Sequence, residues 1–235
     1  MADVLQSRES ELANRIAEAR DADVMFYNGE IVRGVDRTLI SDCIYRRKHK
    51  NAILMLITPG GDADVAYRIA RCLQNKYQRF SVYISGYCKS AGTLIALGAH
   101  ELIVSDHGEL GPLDVQMMKK DDLMQRQSGL TVMTALEALH EKAFSAFEKY
   151  FLETTEKGGG TITVNTAAEI ATKLTTGLFA PLYQQIDPLL VGEAGRALSV
   201  ADAYGVRLLK KGGNASASTL RFLATDYPSH GFSYR

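Results

Sequence analysis

Two glycine-rich turns and one serine have the residue types and spacing that acyl-transfer chemistry needs. The first turn is 58–61 (TPGG), and the second is 86–92 (GYCKSAG), which contains Ser90. Glycine lacks a Cβ, so another carbonyl group can closely approach the backbone N–H groups of such a turn. A serine hydroxyl placed beside these N–H groups can attack a carbonyl carbon while they stabilise the oxyanion that forms.

Ser90 is predicted to begin a helix, where unpaired N–H groups and the helix dipole favour negative charge. The N–H of Gly61 and an N–H next to Ser90 are therefore candidates for an oxyanion hole. A purely structural alternative stays open, because serine is also common at helix N-caps and Pro-Gly-Gly is an ordinary turn. The segment 88–92, CKSAG, also lacks the first glycine of the Gly-x-Ser-x-Gly elbow.

The elements that must position these turns alternate between strand and helix. Helices are predicted over 4–20, 36–48, 64–75 and 89–99, strands over 23–27, 52–57, 80–85 and 101–105, and a turn at 86–88. The continuous apolar run 52–57 (AILMLI) is typical of a strand buried on both faces. This alternation predicts right-handed βαβ units and a mostly parallel sheet. Ligands bind beyond the carboxyl ends of such strands, so both turns should face one crevice.

The character of the sequence changes after Asp114. Residues 119–156, 165–176 and 188–211 read as mainly helical, with a glycine break at 158–160. We therefore divide the chain into an N-terminal helix (1–21), a catalytic core (22–118), a helical part (119–211) and a C-terminal tail (212–235).

Composition excludes several classes of function. The 235 residues carry 27 Lys+Arg and 27 Asp+Glu, so no global field attracts nucleic acid or an anionic membrane. The three cysteines form no Cys-x-x-Cys pair, which argues against a disulfide framework or a zinc site. No run of 18 uncharged apolar residues and no signal-peptide pattern is present, so we expect a cytoplasmic protein without a membrane span.

Two segments carry a resemblance to a known superfamily. ITPGGDADVAYRIARCL (57–73) and GYCKSAGTLIALGAHELIVSDHGELGPLD (86–114) resemble the core of Clp protease proteolytic subunits and of signal peptide peptidase A. The run 90–116 looks most like the serine dehydrogenase proteinase branch, and 198–206 is similar to a helix near the end of this fold. The resemblance implies an α/β fold, a Clp/crotonase-like ββα superhelix with a mostly parallel sheet and a helical C-terminal part.

The resemblance also implies roles for individual positions. Ser90 matches the nucleophile of the family, and Gly61 and Ala91 match the backbone oxyanion donors. The family binds an extended peptide by adding it to strand edges, which makes Gly60 and Gly86 candidate substrate contacts. Neither a metal nor an organic cofactor is expected.

The general base is where this chain departs from the family pattern. Clp subunits have a histidine about where Asp114 falls here, and signal peptide peptidases take a lysine from a later helix. His230, oriented by Asp114, is one candidate, because catalytic groups need to meet only in space. Lys142, on the predicted long helix, is the other candidate and would form a Ser–Lys dyad. The sequence leaves this choice open.

The favoured function is a serine peptidase that forms an acyl-enzyme on Ser90. The alternatives are a catalytically inactive Clp-like scaffold or peptide-binding protein, and a crotonase-type acyl-CoA enzyme. Members of this fold generally form homo-oligomers, so we expect a trimer, tetramer or ring built through 119–176. The chain has no nucleotide-binding Gly-x-x-x-x-Gly-Lys-Ser/Thr motif, so any unfoldase partner would be a separate chain.

Overall fold

A computed structural model describes residues 2–113, 116–118, 126–221 and 232–233 of the chain. These fall into two compact units, Met1–Gln116 with Ala197–Arg235 and Met117–Arg196. Among the described residues, no helix combines the length and the hydropathy that crossing a bilayer requires.

The first unit alternates strands and helices. Its helices are α1 (Ala2–Arg20), α2 (Val35–Tyr45), α3 (Ala63–Lys76), α4 (Ala91–Leu97) and α8 (Ala217–Arg221). Its strands are β1 (Ala22–Asn28), β2 (Asn51–Ile57), β3 (Phe80–Ile84), β4 (Tyr87–Cys88), β5 (Glu101–Val104), β6 (Glu109–Leu110) and β9 (Phe232–Ser233). The second unit contains β8 (Arg126–Ser128), α5 (Gly129–Lys157) and α6 (Val164–Tyr183), while β7 (Gln116–Met118) and α7 (Pro188–Gly212) cross the boundary between the units.

A four-stranded parallel sheet organises the first unit. Its strand order is β1-β2-β3-β5, and every neighbouring pair is parallel. Leu54 in β2 lies opposite Met25 on one side and Val82 on the other. A second sheet, β4-β6-β9, is parallel between its first two strands and antiparallel at β9. The predicted fold class, α/β with a mostly parallel sheet and a helical C-terminal part, is confirmed.

The core forms where the apolar run of β2 meets the helices that follow the strands. Leu54 and Leu56 are fully buried, in one cluster with Val82 of β3, Ile69 of α3 and Leu94 of α4. Along a strand, alternate side chains point to opposite faces. This period of two explains why Leu54 and Leu56 share one face.

The C-terminal end of α7 is joined to the core by a buried side chain. The amide of Gln74 in α3 donates hydrogen bonds to the carbonyl of Gly98 at 2.7 Å and to that of Leu208 at 2.9 Å. Tyr204 of α7 stacks on Tyr67 of α3, with ring centroids 4.2 Å apart. These contacts fix the helix that follows the first glycine-rich turn.

The predicted turn at 86–88 is wrong. Tyr87–Cys88 forms β4, because its partners are distant in sequence: Cys88 lies opposite Leu110 and also forms a bridge with Thr58. The helix predicted from residue 89 begins later, at Ala91. Ser90 is therefore the junction between a short strand and a short helix.

The second unit is built around a helical pair, in which α5 packs against α6. Gly159 and Gly160, in the link between them, have positive φ angles of 53° and 86°, a region that glycine enters without a steric cost. Thr163 caps α6 by accepting the N–H of Thr166. This helix runs beyond its predicted end at residue 176 and contains Pro181.

Candidate active site

The two glycine-rich turns lie side by side beyond β2. Thr58 forms a parallel bridge with Cys88. The N–H of Thr58 donates to the carbonyl of Tyr87 at 2.8 Å, and the carbonyl of Thr58 accepts from the N–H of Lys89 at 3.0 Å. The structure thus brings the turns 58–61 and 86–92 together, as expected for the carboxyl ends of neighbouring parallel strands.

Gly60 passes directly against Ser90. A Cβ atom placed on Gly60 would lie 2.5 Å from Ser90 Cβ, 3.0 Å from Ser90 Oγ and 2.8 Å from the carbonyl oxygen of Lys89. Gly60 also has a φ of +107°, which L-residues with side chains rarely adopt. Only glycine allows the first turn to approach the serine hydroxyl so closely.

The peptide group between Gly60 and Gly61 is oriented by Ile31. The N–H of Ile31 donates to the carbonyl of Gly60 at 2.8 Å, and the N–H of Asp62 donates to the carbonyl of Ile31 at 2.8 Å. In a planar trans peptide the C=O and N–H groups point in opposite directions. The N–H of Gly61 therefore points away from Ile31.

Ser90 has a strained backbone and a buried side chain. Its φ of 53° and ψ of −116° are unusual for a residue other than glycine. The residue as a whole is only 4% exposed. The N–H of Ser90 donates to the carbonyl of Pro112 at 3.1 Å. Thr93, one turn into α4, donates from Oγ1 to the carbonyl of Gly111 at 2.8 Å. The segment 111–112 thus holds the serine turn from the side opposite to 58–61.

The helix after Ser90 is shorter than the sequence indicated. It covers only Ala91–Leu97, so the argument from a helix dipole at its start loses its force. What remains is the N–H of Ala91, the first residue of the helix, which has no acceptor within the helix. The candidate oxyanion donors are therefore two individual backbone groups, on Gly61 and Ala91.

The two ionisable residues just before Ser90 in the sequence are Cys88 and Lys89, of which the first is uncharged and the second is in an ion pair. Lys89 forms an ion pair with Glu109 at 3.5 Å, and both side chains are about half exposed. Burial raises the pKa of the Cys88 thiol to about 12, so this cysteine is a neutral core residue at physiological pH.

Of the two candidates for the general base, the structure describes only Lys142. Asp114 and His230 lie outside the described residues. Lys142 lies exposed on α5 in the second unit, whereas Ser90 belongs to the first. Of the other histidines near the site in sequence, His100 accepts the N–H of Phe80 on its ring nitrogen. The base stays a prediction.

Sequence reasoning missed two residues that shape the site. The sequence indicates Thr58 only as the first residue of a turn, yet its Oγ1 accepts the N–H of Gly60 at 3.1 Å. A threonine two residues before a glycine is a recognisable signal, because Ser and Thr hydroxyls commonly bond to backbone groups two positions on. Ile31 gave no comparable signal, since its role depends on pairing with Gly61 across a long stretch of sequence.

The strain at Ser90 predicts an unusual order of stabilities. We expect Ser90→Gly to be more stable than Ser90→Ala by about 1 kcal/mol, because glycine removes a positive-φ cost of about 1–3 kcal/mol and loses part of that gain to chain entropy. Urea unfolding of both variants measures the difference. Ala96→Gly, inside α4, is the control and should be destabilised. A Ser90→Gly variant that is less stable than Ser90→Ala would contradict the strain.

A parallel α/β core with a serine between a strand and a helix, pressed against a Pro-Gly-Gly turn, is the arrangement expected of Clp-like serine peptidases. A family model described as ClpP-like SDH-type serine proteinase matches residues 37–196, which is more than half of the chain. The chain belongs to this family.

Two curated relatives are uncharacterized proteins of Methanocaldococcus jannaschii. One is 29% identical over 142 residues, which cover 55% of this chain and 46% of the relative. The other is 39% identical over 70 residues, which cover 30% of this chain and 24% of the relative. The chain thus matches less than half the length of either relative.

Solved structures of proteases are also similar to the chain. A 1510-N membrane-bound stomatin-specific protease shares 19% identity, with 64% of this chain and 69% of that chain covered and a TM-score of 0.39. The catalytic domain of ClpP from Plasmodium falciparum shares 15% identity, with 40% and 58% covered and a TM-score of 0.32.

Proposed function

We propose that this chain hydrolyses peptide bonds through an acyl-enzyme on Ser90. The observation that carries the proposal is the contact between Ser90 and the glycine turn, where a Cβ on Gly60 would lie 3.0 Å from the serine Oγ. Membership of a serine proteinase family supports the same chemistry. The N–H groups of Gly61 and Ala91 are the proposed oxyanion donors.

The proposed reaction has two halves. Ser90 Oγ attacks the carbonyl carbon, its proton passes to the base, and the N–H groups of Gly61 and Ala91 bind the oxyanion. Collapse of the tetrahedral intermediate breaks the C–N bond, and the base returns the proton to the leaving amine. Water then attacks the acyl-enzyme in the same way and releases the carboxylic acid product.

The proposed substrate is an extended peptide bound through its main chain. Gly60 and Gly86 flank the serine turn and are its candidate contacts. The atoms nearest to a Cβ on Gly86 would belong to the side chain of Ile57, the closest at 3.7 Å, which is an ordinary van der Waals distance. Main-chain binding of this kind accepts many side-chain sequences.

The proposal is tested by a fluorophosphonate probe on the purified protein. Ser90 Oγ attacks phosphorus, the P–F bond breaks, fluoride leaves and the hydroxyl proton passes to the base. We expect mass spectrometry to place the adduct on Ser90 and to find none in Ser90→Ala. A folded protein that does not react would instead favour an inactive peptide-binding scaffold, and co-purified coenzyme A would favour the acyl-CoA alternative.

The base is proposed to be His230, oriented by Asp114, or Lys142. The pH dependence of labelling separates the two. Because a histidine side chain in water loses its proton about four pH units below a lysine side chain, a histidine base should give the lower midpoint. Labelling rates of His230→Ala, Asp114→Asn and Lys142→Ala then identify the group.

We also propose that the chain forms a homo-oligomer through the helical region 119–176. Within that region α6 exposes apolar side chains at a four-residue spacing, Ile170 and Leu174, and the same spacing continues to Leu178 and Leu182. Light scattering that finds a monomer at micromolar concentration would contradict this proposal.

A further inference from the structure

Thr58 is the buried side chain that contacts both halves of the proposed oxyanion site. The residue is completely inaccessible to solvent. Its Oγ1 accepts the N–H of Gly60 at 3.1 Å. Its methyl group faces the other half, since a Cβ placed on Gly92 would lie 2.4 Å from Thr58 Cγ2. Gly92 lies in the first turn of α4, directly after Ala91.

The hydroxyl of Thr58 accepts the N–H of Gly60 and also donates to the Gly60 carbonyl at 3.4 Å, and the N–H of Ile31 donates to the same carbonyl. Ile31 binds the carbonyl of Gly60, which orients the peptide group that carries the N–H of Gly61. Without a second restraint, Gly60 could rotate about its own φ and ψ, because glycine has a wide range of allowed angles. Thr58 Oγ1 supplies that restraint by holding the N–H of Gly60.

The same bond decides which N–H is available to a substrate. The N–H of Gly60 is occupied by Thr58, so it cannot also serve the oxyanion. A buried N–H that loses its acceptor must find another partner or stay unsatisfied, and both outcomes favour a change in the turn. The orientation of the Gly61 N–H therefore depends on an oxygen atom at residue 58.

We propose that Thr58 is a positioning residue for peptide hydrolysis: its Oγ1 holds the Gly60–Gly61 turn, and its methyl sets the spacing to the serine helix. This inference rests on the proposed function, since it concerns the same oxyanion site. Thr58 acts through Gly61 and does not touch the substrate. Its loss should lower the rate of the chemical step and leave probe binding unchanged.

Three substitutions vary the acceptor at residue 58. Thr58→Ser keeps the oxygen and loses the methyl, Thr58→Cys offers only a weakly accepting sulfur, and Thr58→Val keeps the methyl and loses the acceptor. For a fluorophosphonate probe we expect the limiting labelling rate, kinact, to fall in the order wild type, Ser, Cys, Val. The Val variant should lose about 10–100-fold, since misplacing a catalytic group by about 1 Å costs up to about 100-fold. The probe concentration at half-maximal rate should change little.

The control removes a different buried hydroxyl, that of Ser81 in β3. Ser81 Oγ donates to Glu101 Oε2 at 2.9 Å, away from the turns. Ser81→Ala should lower stability and leave kinact of the folded protein unchanged. If Thr58→Val does not fold, the Ser and Cys variants carry the test, because they differ only in the accepting atom.

The outcomes separate this inference from the proposed function. Equal kinact values for the folded Ser and Cys variants, in a wild-type protein that labels on Ser90, would overturn the role of Thr58 and leave the peptidase proposal standing. A folded wild-type protein that does not label at all would overturn the peptidase proposal, and with it the positioning role. If kinact is low in Thr58→Val and Thr58→Cys but higher in Thr58→Ser, the result supports both the positioning role of Thr58 and the peptidase proposal.

Discussion

Replacing Ser90 with alanine is expected to abolish peptide hydrolysis while the fold is kept. Loss of the nucleophile in a serine peptidase typically lowers kcat by about 10⁶-fold, and the residual rate comes from the oxyanion hole and substrate binding. Alanine removes only Oγ from a residue whose backbone N–H and C=O are already held by Pro112 and Leu94. Release of fluorescent fragments from unfolded casein measures the loss.

The control for this variant is Ser85→Ala, a serine directly after β3. It should retain activity close to that of the wild type. Urea unfolding of both variants checks that Ser90→Ala keeps its native structure. A folded Ser90→Ala protein that still cleaves casein at the wild-type rate would rule out Ser90 as the nucleophile.

Much of the fold follows from local patterns in the sequence. The apolar run 52–57 predicts a buried strand, and β2 occupies 51–57. The helix predicted over 64–75 is close to α3 because Asp62 caps it, accepting the N–H groups of Asp64 and Val65. Strands and helices with strong periodicity and clear caps are determined by residues close in sequence.

The elements that the sequence did not predict depend on distant partners. β4 is only two residues long, and its local sequence, with Gly86 before it and the polar residues Lys89 and Ser90 after it, indicates a turn. It becomes a strand because Tyr87 and Cys88 pair with Thr58 and with Glu109 and Leu110. No local pattern encodes such a pairing, and the same pairing places Ser90.

In the candidate site, too, some features follow from local sequence and others depend on residues that are distant in sequence. The motifs 58–61 and 86–92 predicted that the two glycine-rich segments lie at one edge of the sheet, because the ends of parallel strands meet there. The base could not be chosen from the sequence, since a nucleophile and its base need proximity only in space. Thr58 shows a third case: its hydrogen bond to Gly60 is local, but its contact with Gly92 depends on the packing of two turns.

Gly61→Ala is the second substitution with a large expected effect, and it should both destabilise the protein and stop labelling of Ser90. A Cβ at this position would lie 2.1 Å from the carbonyl oxygen of Ile31 and 2.8 Å from its carbonyl carbon, and the φ of Gly61 is +140°. Backbone atoms cannot turn aside as a flexible side chain can. The turn must therefore move away from Ile31 and weaken the hydrogen bonds on either side of Gly61.

We expect this variant to lose more than about 4 kcal/mol of unfolding free energy. Losses of this size are exceptional for single substitutions and arise from a few causes, which include backbone strain and overpacking. Two other glycines separate the cost of the backbone angle from the cost of the steric clash. Gly34 has a φ of +107° with no atom within 4 Å of a Cβ, so Gly34→Ala should cost only the conformational part, about 1–2 kcal/mol. Gly86→Ala meets Ile57 at 3.7 Å, an ordinary contact, and should be nearly neutral for stability.

The labelling rate of the folded fraction then reports on the oxyanion donor. Moving the N–H of Gly61 out of place should slow the reaction of Ser90 with a fluorophosphonate by at least about 100-fold, the usual cost of losing one oxyanion donor. Gly34→Ala, outside the turn, should label at the wild-type rate. If Gly61→Ala folds and labels as fast as Gly34→Ala, the N–H of Gly61 is not a donor, and the oxyanion must be bound elsewhere.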